Sequence, residues 1–239
     1  MVGIKIGVPS KGRLKSATVE WLANYGIQLQ LADGHREYSA KILGLNDVSI
    51  VLLSANEIPK ELASGGIDLG ITGQDLVREK IPMWREITLE LKELNFGRAK
   101  LVLAVPKFWA DVESLDDFDA VATSFRRKHG FRLRIATKYH NLVWEYLRQM
   151  GVADYQLIDS QGATEGSVKN NSAEAIADIT SSGGTLEANH LKVIGARPIL
   201  SSQATLYLSR TVKWNEKKYK VLNNFCSMVR IDPPDFLTN

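Results

Sequence analysis

Short apolar runs along the chain alternate with stretches whose apolar residues recur every third or fourth position. Residues 4–8 read as a strand. Beyond Ser10-Lys11-Gly12, the positions Leu14, Ala17, Trp21, Leu22 and Tyr25 mark a helix over 13–25, which Gly26 can end in a left-handed conformation. Residues 49–54 form a buried strand, and the helix after it carries Pro59 in its first turn and ends near Gly65-Gly66. A strand at 69–72 then leads into a short helix at 74–79. Strands at 87–94 and 100–105 follow, separated by Asn95-Phe96-Gly97-Arg98, a crossing between two lobes. Further strands are expected at 133–137, 155–158, 175–179 and 204–208. Helices are expected at 141–150 and at the end, where Trp214, Val221, Leu222, Phe225, Met228 and Val229 share a face. Repeated strand–helix alternation predicts an α/β fold with mostly parallel sheets, and ligands in such folds bind beyond the carboxyl ends of the strands.

Composition narrows the class without naming it. The 239 residues are 44 % hydrophobic and 24 % charged, values of an ordinary globular chain rather than a disordered or collagen-like one. The single cysteine, Cys226, allows no internal disulfide and no cysteine-rich zinc site. The first seven residues lack the apolar core of a secretory signal, and no run reaches the roughly 18 uncharged apolar residues of a membrane span. A cytoplasmic protein with no membrane partner is therefore expected.

Thirty Lys and Arg against 27 Asp and Glu leave a net charge of +3, too little to imply nucleic-acid binding. Locally the balance differs: Arg126, Arg127, Lys128, Arg132, Arg134 and Lys138 occur between Ser124 and Lys138 with no acid among them. Such a run either attracts a polyanion or forms a solvated loop and edge strand, and the second reading is the commoner. Only Phe125 and Phe131 interleave with it, a poor platform for stacking bases. No nucleic-acid partner is expected.

The most informative stretch is Asp178-Ile179-Thr180-Ser181-Ser182-Gly183-Gly184-Thr185. An apolar strand ends in a carboxylate, and hydroxyls and glycines then open a helix. Glycines let the backbone approach an anion, and a helix start offers unpaired N–H groups. This suits a phosphate monoester, with Asp178 placed to accept from the hydroxyls of an adjoining ribose. A capped helix with a flexible glycine turn would look the same. Neither a Gly-Lys-Ser/Thr phosphate loop nor a GxGxxG turn is present. A second candidate is Lys11-Gly12-Arg13, where two cations flank a strand-to-helix turn.

Taken together these segments resemble the ATP phosphoribosyltransferases, from about residue 4 to about residue 210. The matching blocks are Pro9-Ser10-Lys11-Gly12-Arg13-Leu14; Glu57-Ile58-Pro59 with Gly66, Asp68-Leu69-Gly70-Ile71 and Gly73; Phe96-Gly97-Arg98; and Ala136-Thr137-Lys138-Tyr139 with Asn141-Leu142. The phosphoribosyl block follows as Gly162, Glu165, Asp178, Ser182-Gly183, Thr185-Leu186 and Ala188-Asn189. Three positions depart from the family pattern: Ser54 replaces an arginine, Asn171 a glycine and Glu174 an aspartate.

The resemblance implies two lobes in a periplasmic-binding-protein-like (type II) architecture with a cleft between them. The first lobe is expected to hold residues 1–96 and 193–239, and the second residues 97–192 with the phosphate loop. It further implies transfer of 5-phosphoribosyl from phosphoribosyl pyrophosphate (PRPP) to N1 of the adenine of ATP, the first step of histidine biosynthesis. PRPP would be held by Glu165, Asp178, Thr180, Ser181, Ser182, Gly183, Gly184 and Thr185. Lys11, Gly12, Arg13 and Gly73 would bind ATP. Lys11, Arg13 and Arg36 would act in catalysis by neutralising phosphates, and Mg²⁺ would arrive on the substrate with no protein metal site. The four histidines, His35, His129, His140 and His190, are expected to be surface or structural. The length resembles the short catalytic form, which implies a dimer working with a regulatory subunit similar to histidyl-tRNA synthetase. The competing reading is a non-enzymatic small-ligand-binding module of the same fold.

Overall fold

The computed structural model describes residues 3–31, 39–42, 47–160 and 163–234. These divide into two compact units, residues 1–97 with 203–239, and residues 98–202.

The first unit contains β1 (Ile4–Pro9), α1 (Gly12–Ala23), β2 (Leu29–Leu31), β3 (Ser39–Ile42), β4 (Val48–Leu53) and α2 (Ile58–Ser64). They are followed by β5 (Leu69–Gly73), α3 (Gln74–Lys80), α4 (Trp84–Ile87) and β6 (Thr88–Glu93). Strand order in its sheet is β2-β3-β4-β1-β5, and it then continues with two further strands, one of them β6 at the edge. β1 pairs in parallel with β4 and β5. Only Lys5 is exposed in β1, because the strand is flanked on both sides and covered on both faces. The core gathers Ile4, Ile6, Val8, Ile50, Leu69 and Ile71 beneath Leu22 of α1.

The second unit runs β7 (Ala99–Pro106), α5 (Leu115–His129), β8 (Leu133–Thr137), α6 (His140–Gln149) and β9 (Tyr155–Asp159). It ends with α7 (Gly166–Lys169), β10 (Ala175–Thr180), α8 (Gly184–Ala188), β11 (Leu191–Ile194) and β12 (Leu200–Ser202). Its strand order is β11-β7-β10-β8-β9, with β12 also on β7. Leu101, Leu103, Phe118, Ile135, Val143, Leu147 and Ala177 fill the main core of this unit. The chain then returns to the first unit as β13 (Ala204–Ser209), between β5 and β6, and α9 (Glu216–Met228). Leu222, Phe225 and Cys226 of α9 are buried. Among the described residues no helix is long and apolar enough to cross a membrane.

Three expectations change. The sheets are mixed rather than mostly parallel: β10, β8 and β9 run parallel, as do β4, β1 and β5, but the flanking pairs are antiparallel. Fewer than ten residues of sequence separate β2 from β3 and β3 from β4, too few for a parallel crossover, and β13, re-entering from the second unit, runs against β5 and β6. The return falls at residue 203 rather than 193, because β11 and β12 both hydrogen-bond to β7. Finally, the basic run is no edge strand. Arg126, Arg127 and Lys128 lie in the last turn of α5, where cations complement the helix dipole, and β8 is paired on both sides.

Candidate functional site

Each unit presents the carboxyl ends of its parallel strands as one edge. In the second unit Ala177, Thr137 and Asp159 sit in one row across β10, β8 and β9. Every segment leaving that row emerges on the same side of the sheet. β10 continues through half-buried Asp178 and Thr180 into the turn before α8. Ser181, Ser182, Gly184 and Thr185 are exposed there. The backbone turns at Gly183, whose φ of +80° is one that L side chains rarely adopt. Thr180 Oγ1 accepts from the Gly183 N–H at 2.8 Å, and Ser182 Oγ accepts from the Gly184 N–H at 3.4 Å. The loop is thus folded by its own hydroxyls. Nothing lies within 4 Å of where a Cβ on Gly183 would point, so it is open to an approaching group.

Asp178 Oδ1 accepts the Ile179 N–H at 2.7 Å, which fixes the carboxylate at the strand end. Glu165 is half-buried at the start of α7. A feature the sequence did not reveal anchors the chain next to this second carboxylate. Ser160 N–H donates to the Thr137 carbonyl at 3.1 Å, and Ser160 Oγ donates to Thr164 Oγ1 at 2.7 Å, with all three residues buried. The chain just before Glu165 is therefore pinned to the end of β8. Spacing alone offers no signal for this contact, since the register of β8 against β9 creates it. Gly162, matched to the family block, lies outside the described residues.

On the first unit β1 ends beside β4, with Pro9 opposite Leu53, and Ser10 N–H donates to the Leu53 carbonyl at 2.7 Å. Lys11, Gly12 and Arg13 follow on that edge, all exposed, with Gly12 at φ +73°. Gly73, buried at the end of the parallel neighbour β5, caps α3. Lys11, Gly12, Arg13 and Gly73 therefore lie at the carboxyl ends of two parallel neighbours, β1 and β5. His35 and Arg36 lie outside the described residues.

The departures from the family pattern have local accounts. Ser54 N–H donates to Glu57 Oε2 at 2.8 Å, and hydrogen bonds from Ser54 hold the Glu57 carboxyl below the usual carboxylate range. Asn171 has φ +54°, the left-handed conformation that asparagine tolerates better than most residues. Glu174 accepts from both the backbone and the guanidinium of Arg134, and that bond raises the Arg134 pKa. Arg126 pairs with Asp154 at 2.5 Å. Two cations of the basic run are thereby engaged within the fold.

Among the described residues, Cys226, His129 and His140 are engaged within the fold. Burial pushes the Cys226 thiol up to about 11, and it lies in the hydrophobic core. His129 packs its ring against Phe125, with centroids 4.3 Å apart, and His140 Nε2 lies 2.8 Å from Asp159 Oδ1. The second unit carries two carboxylates, Asp178 and Glu165, and a hydroxyl loop on the strand ends of its sheet, and the first unit carries a cationic turn. Carboxylates can accept from sugar hydroxyls, and hydroxyls and cations can hold phosphate oxygens.

Comparison with known proteins gives the family. The family model described as HisG: ATP phosphoribosyltransferase matches residues 54–230. The chain is 58 % identical over 213 residues to the ATP phosphoribosyltransferase of Cereibacter sphaeroides, covering 89 % of this chain and 90 % of that one. It is 48 % identical to that of Chelativorans sp. over 208 residues, covering 87 % and 90 %. Among solved structures, the ATP phosphoribosyl transferase (HisG:HisZ) complex from Thermotoga maritima matches with a TM-score of 0.71 at 22 % identity, over 95 % of this chain and 96 % of that one, a likeness of fold. On the family model and these identities, the chain belongs to the ATP phosphoribosyltransferase family.

Proposed function

We infer that this chain transfers the 5-phosphoribosyl group of PRPP to N1 of the adenine of ATP, giving phosphoribosyl-ATP and pyrophosphate in the first step of histidine biosynthesis. The 58 % identity to a curated ATP phosphoribosyltransferase carries this reading. It also disfavours a ligand-binding module of similar fold, since fold alone does not decide function.

The roles of individual residues are our assignment. Adenine N1 has a free lone pair, so bond formation to C1 of the ribose needs no general base. Bond breaking puts charge on the departing pyrophosphate and leaves the sugar cationic, so positioning and electrostatics supply the rate. In this reading the hydroxyls of Thr180, Ser181, Ser182 and Thr185 and the remaining loop N–H groups hold the 5′-phosphate, with Gly183 and Gly184 letting it approach. Asp178 and Glu165 accept from the ribose hydroxyls, and their negative charge favours the cationic sugar. Lys11 and Arg13 neutralise phosphate oxygens, with Gly12 and Gly73 leaving room for ATP; Arg36 is assigned the same role from the family pattern. In the same reading Mg²⁺ arrives on the substrate, held mainly by pyrophosphate oxygens and water, where it would neutralise charge on the leaving group.

We also propose that the chain self-associates as a dimer and works in the cytoplasm with a regulatory subunit similar to histidyl-tRNA synthetase. Its likeness to a chain of the Thermotoga maritima complex supports the partner. The test is pyrophosphate release from ATP plus PRPP with Mg²⁺, for the chain alone and with that subunit. Release that needs both substrates and yields phosphoribosyl-ATP is expected. No product with intact substrates and partner would overturn the assignment.

A further inference from the structure

Strand β9 is the last in its sheet, and among the described residues no strand pairs with its outer side. The Asp154 carbonyl accepts from Leu133 N–H, and the Ser160 N–H donates to Thr137, each at 3.1 Å. Both groups therefore point toward β8. Main-chain groups alternate sides along a strand, so those of Tyr155, Leu157 and Asp159 turn to the open side. Open edges of this kind accept an additional strand.

Beside this edge lies a groove of about 700 Å³, walled by α6 and β9. Its lining includes Arg132, His140, Trp144, Arg148, Tyr155 and Gln156, and no acidic residue. Trp144 is 54 % exposed, unusual for so large an apolar side chain, and the Arg148 guanidinium lies 5.2 Å from its ring centroid. The Arg–Trp stack holds one cation over the groove without neutralising it. None of these side chains is among the residues assigned to PRPP or ATP.

We propose that this groove docks an extended, acidic segment of another polypeptide, which adds a strand to β9. The open main chain of β9 provides the backbone pairing, and Arg132 and Arg148 provide the charge preference. A second copy of this chain is a poor occupant, because pairing β9 with itself would set two grooves that each carry Arg132 and Arg148 against one another. A single-stranded nucleic acid would use the cations and Trp144 but has no backbone to match the edge. This inference does not depend on the transferase reading.

The probe is a fluorescein-labelled eight-residue peptide of alternating Glu and Val, titrated with the full chain and followed by anisotropy. Its lysine–valine counterpart and an unstructured thymidine oligonucleotide serve as comparisons. Salt-sensitive binding of the acidic peptide alone is expected. Arg132→Glu combined with Arg148→Glu should weaken it at least tenfold while pyrophosphate release stays at its basal rate. Amide hydrogen exchange at Tyr155 and Leu157 should slow on binding. Four results would each overturn the proposal: no binding of the acidic peptide, equal binding of the lysine peptide, preference for the oligonucleotide, or affinity unchanged in the double variant. A fall in molar mass of the double variant by light scattering would overturn it too, by assigning the groove to self-association.

Discussion

At the scale of the residue, the two carboxylates of the second unit differ in how they are held. Asp178 Oδ1 accepts one short bond from the next residue along its strand, whereas at Glu165 the backbone just before it is anchored by the buried Ser160–Thr164 hydroxyl contact. An Asn at 178 keeps the shape and an oxygen for the Ile179 N–H, so Asp178→Asn isolates the charge. If that charge matters because the sugar becomes cationic as pyrophosphate departs, it acts in the transition state more than in substrate binding. Losing an interaction made only there lowers kcat and kcat/KM together, whereas losing uniform binding raises KM alone. Turnover should fall about 10²–10³-fold, with KM for PRPP nearly unchanged and the urea midpoint as in the parent. Wild-type kcat in Asp178→Asn would remove Asp178 from the mechanism. A pure KM effect would reduce it to a substrate anchor.

At the scale of the element, α5 shows how local chemistry places a helix. Ser114 Oγ accepts from the Asp117 N–H at 3.1 Å, and Asp117 Oδ2 accepts from the Ser114 N–H at 2.8 Å, a reciprocal capping box. Gly130 at φ +79° ends the helix. Ser114→Ala should cost about 1 kcal/mol, read as a lower urea midpoint. Hydrogen bonds from Ser114 hold the Asp117 carboxyl below its usual range. A depressed carboxyl stabilises the fold above its unfolded pKa and loses that contribution as pH falls through the folded value. The gap between Ser114→Ala and the parent should therefore narrow in acid; a gap independent of pH would mean that the Asp117 charge plays no part in the cap. This helix was readable in the sequence, since Leu115, Phe118, Ala122 and Phe125 repeat at helical spacing behind the Ser114–Asp117 signal. The density of cations from Arg126 onward masked it. The phosphate loop was legible because glycine and hydroxyl preferences are local. The short strands β11 and β12, the interior position of β8 and the Ser160–Thr164 contact were not, because each depends on a partner distant in sequence.

At the scale of the whole molecule, the second unit is one uninterrupted length of chain, while the first is assembled from two. Asp68 shows what the split requires. It is 3 % exposed, with Oδ2 accepting the Lys5 N–H at 2.7 Å and Oδ1 lying 2.5 Å from Lys218 Nζ on α9. The Asp68 carbonyl also accepts the Ser209 N–H of β13. One buried residue thus joins the first strand and the last helix through its carboxylate and the returning strand through its backbone carbonyl, so the first unit needs both ends of the chain. Among the described residues the second unit draws its sheet and core from one stretch of sequence. Every strand of its sheet lies between residues 98 and 202, and so do its two core clusters, one around Phe118 and Ile135 and the other around Ala136 and Ile176. At about 100 residues it is large enough for an independent core. Residues 98–202 expressed alone should give a dispersed amide spectrum and a cooperative urea transition, and ribose 5-phosphate should shift the amides from Thr180 to Thr185. Without Lys11 and Arg13 the fragment should form no phosphoribosyl-ATP. A collapsed, undispersed spectrum would show that this unit needs the other in order to fold. A folded fragment whose loop amides ignore ribose 5-phosphate would instead place the sugar phosphate elsewhere, and with it the roles given to Asp178 and Glu165.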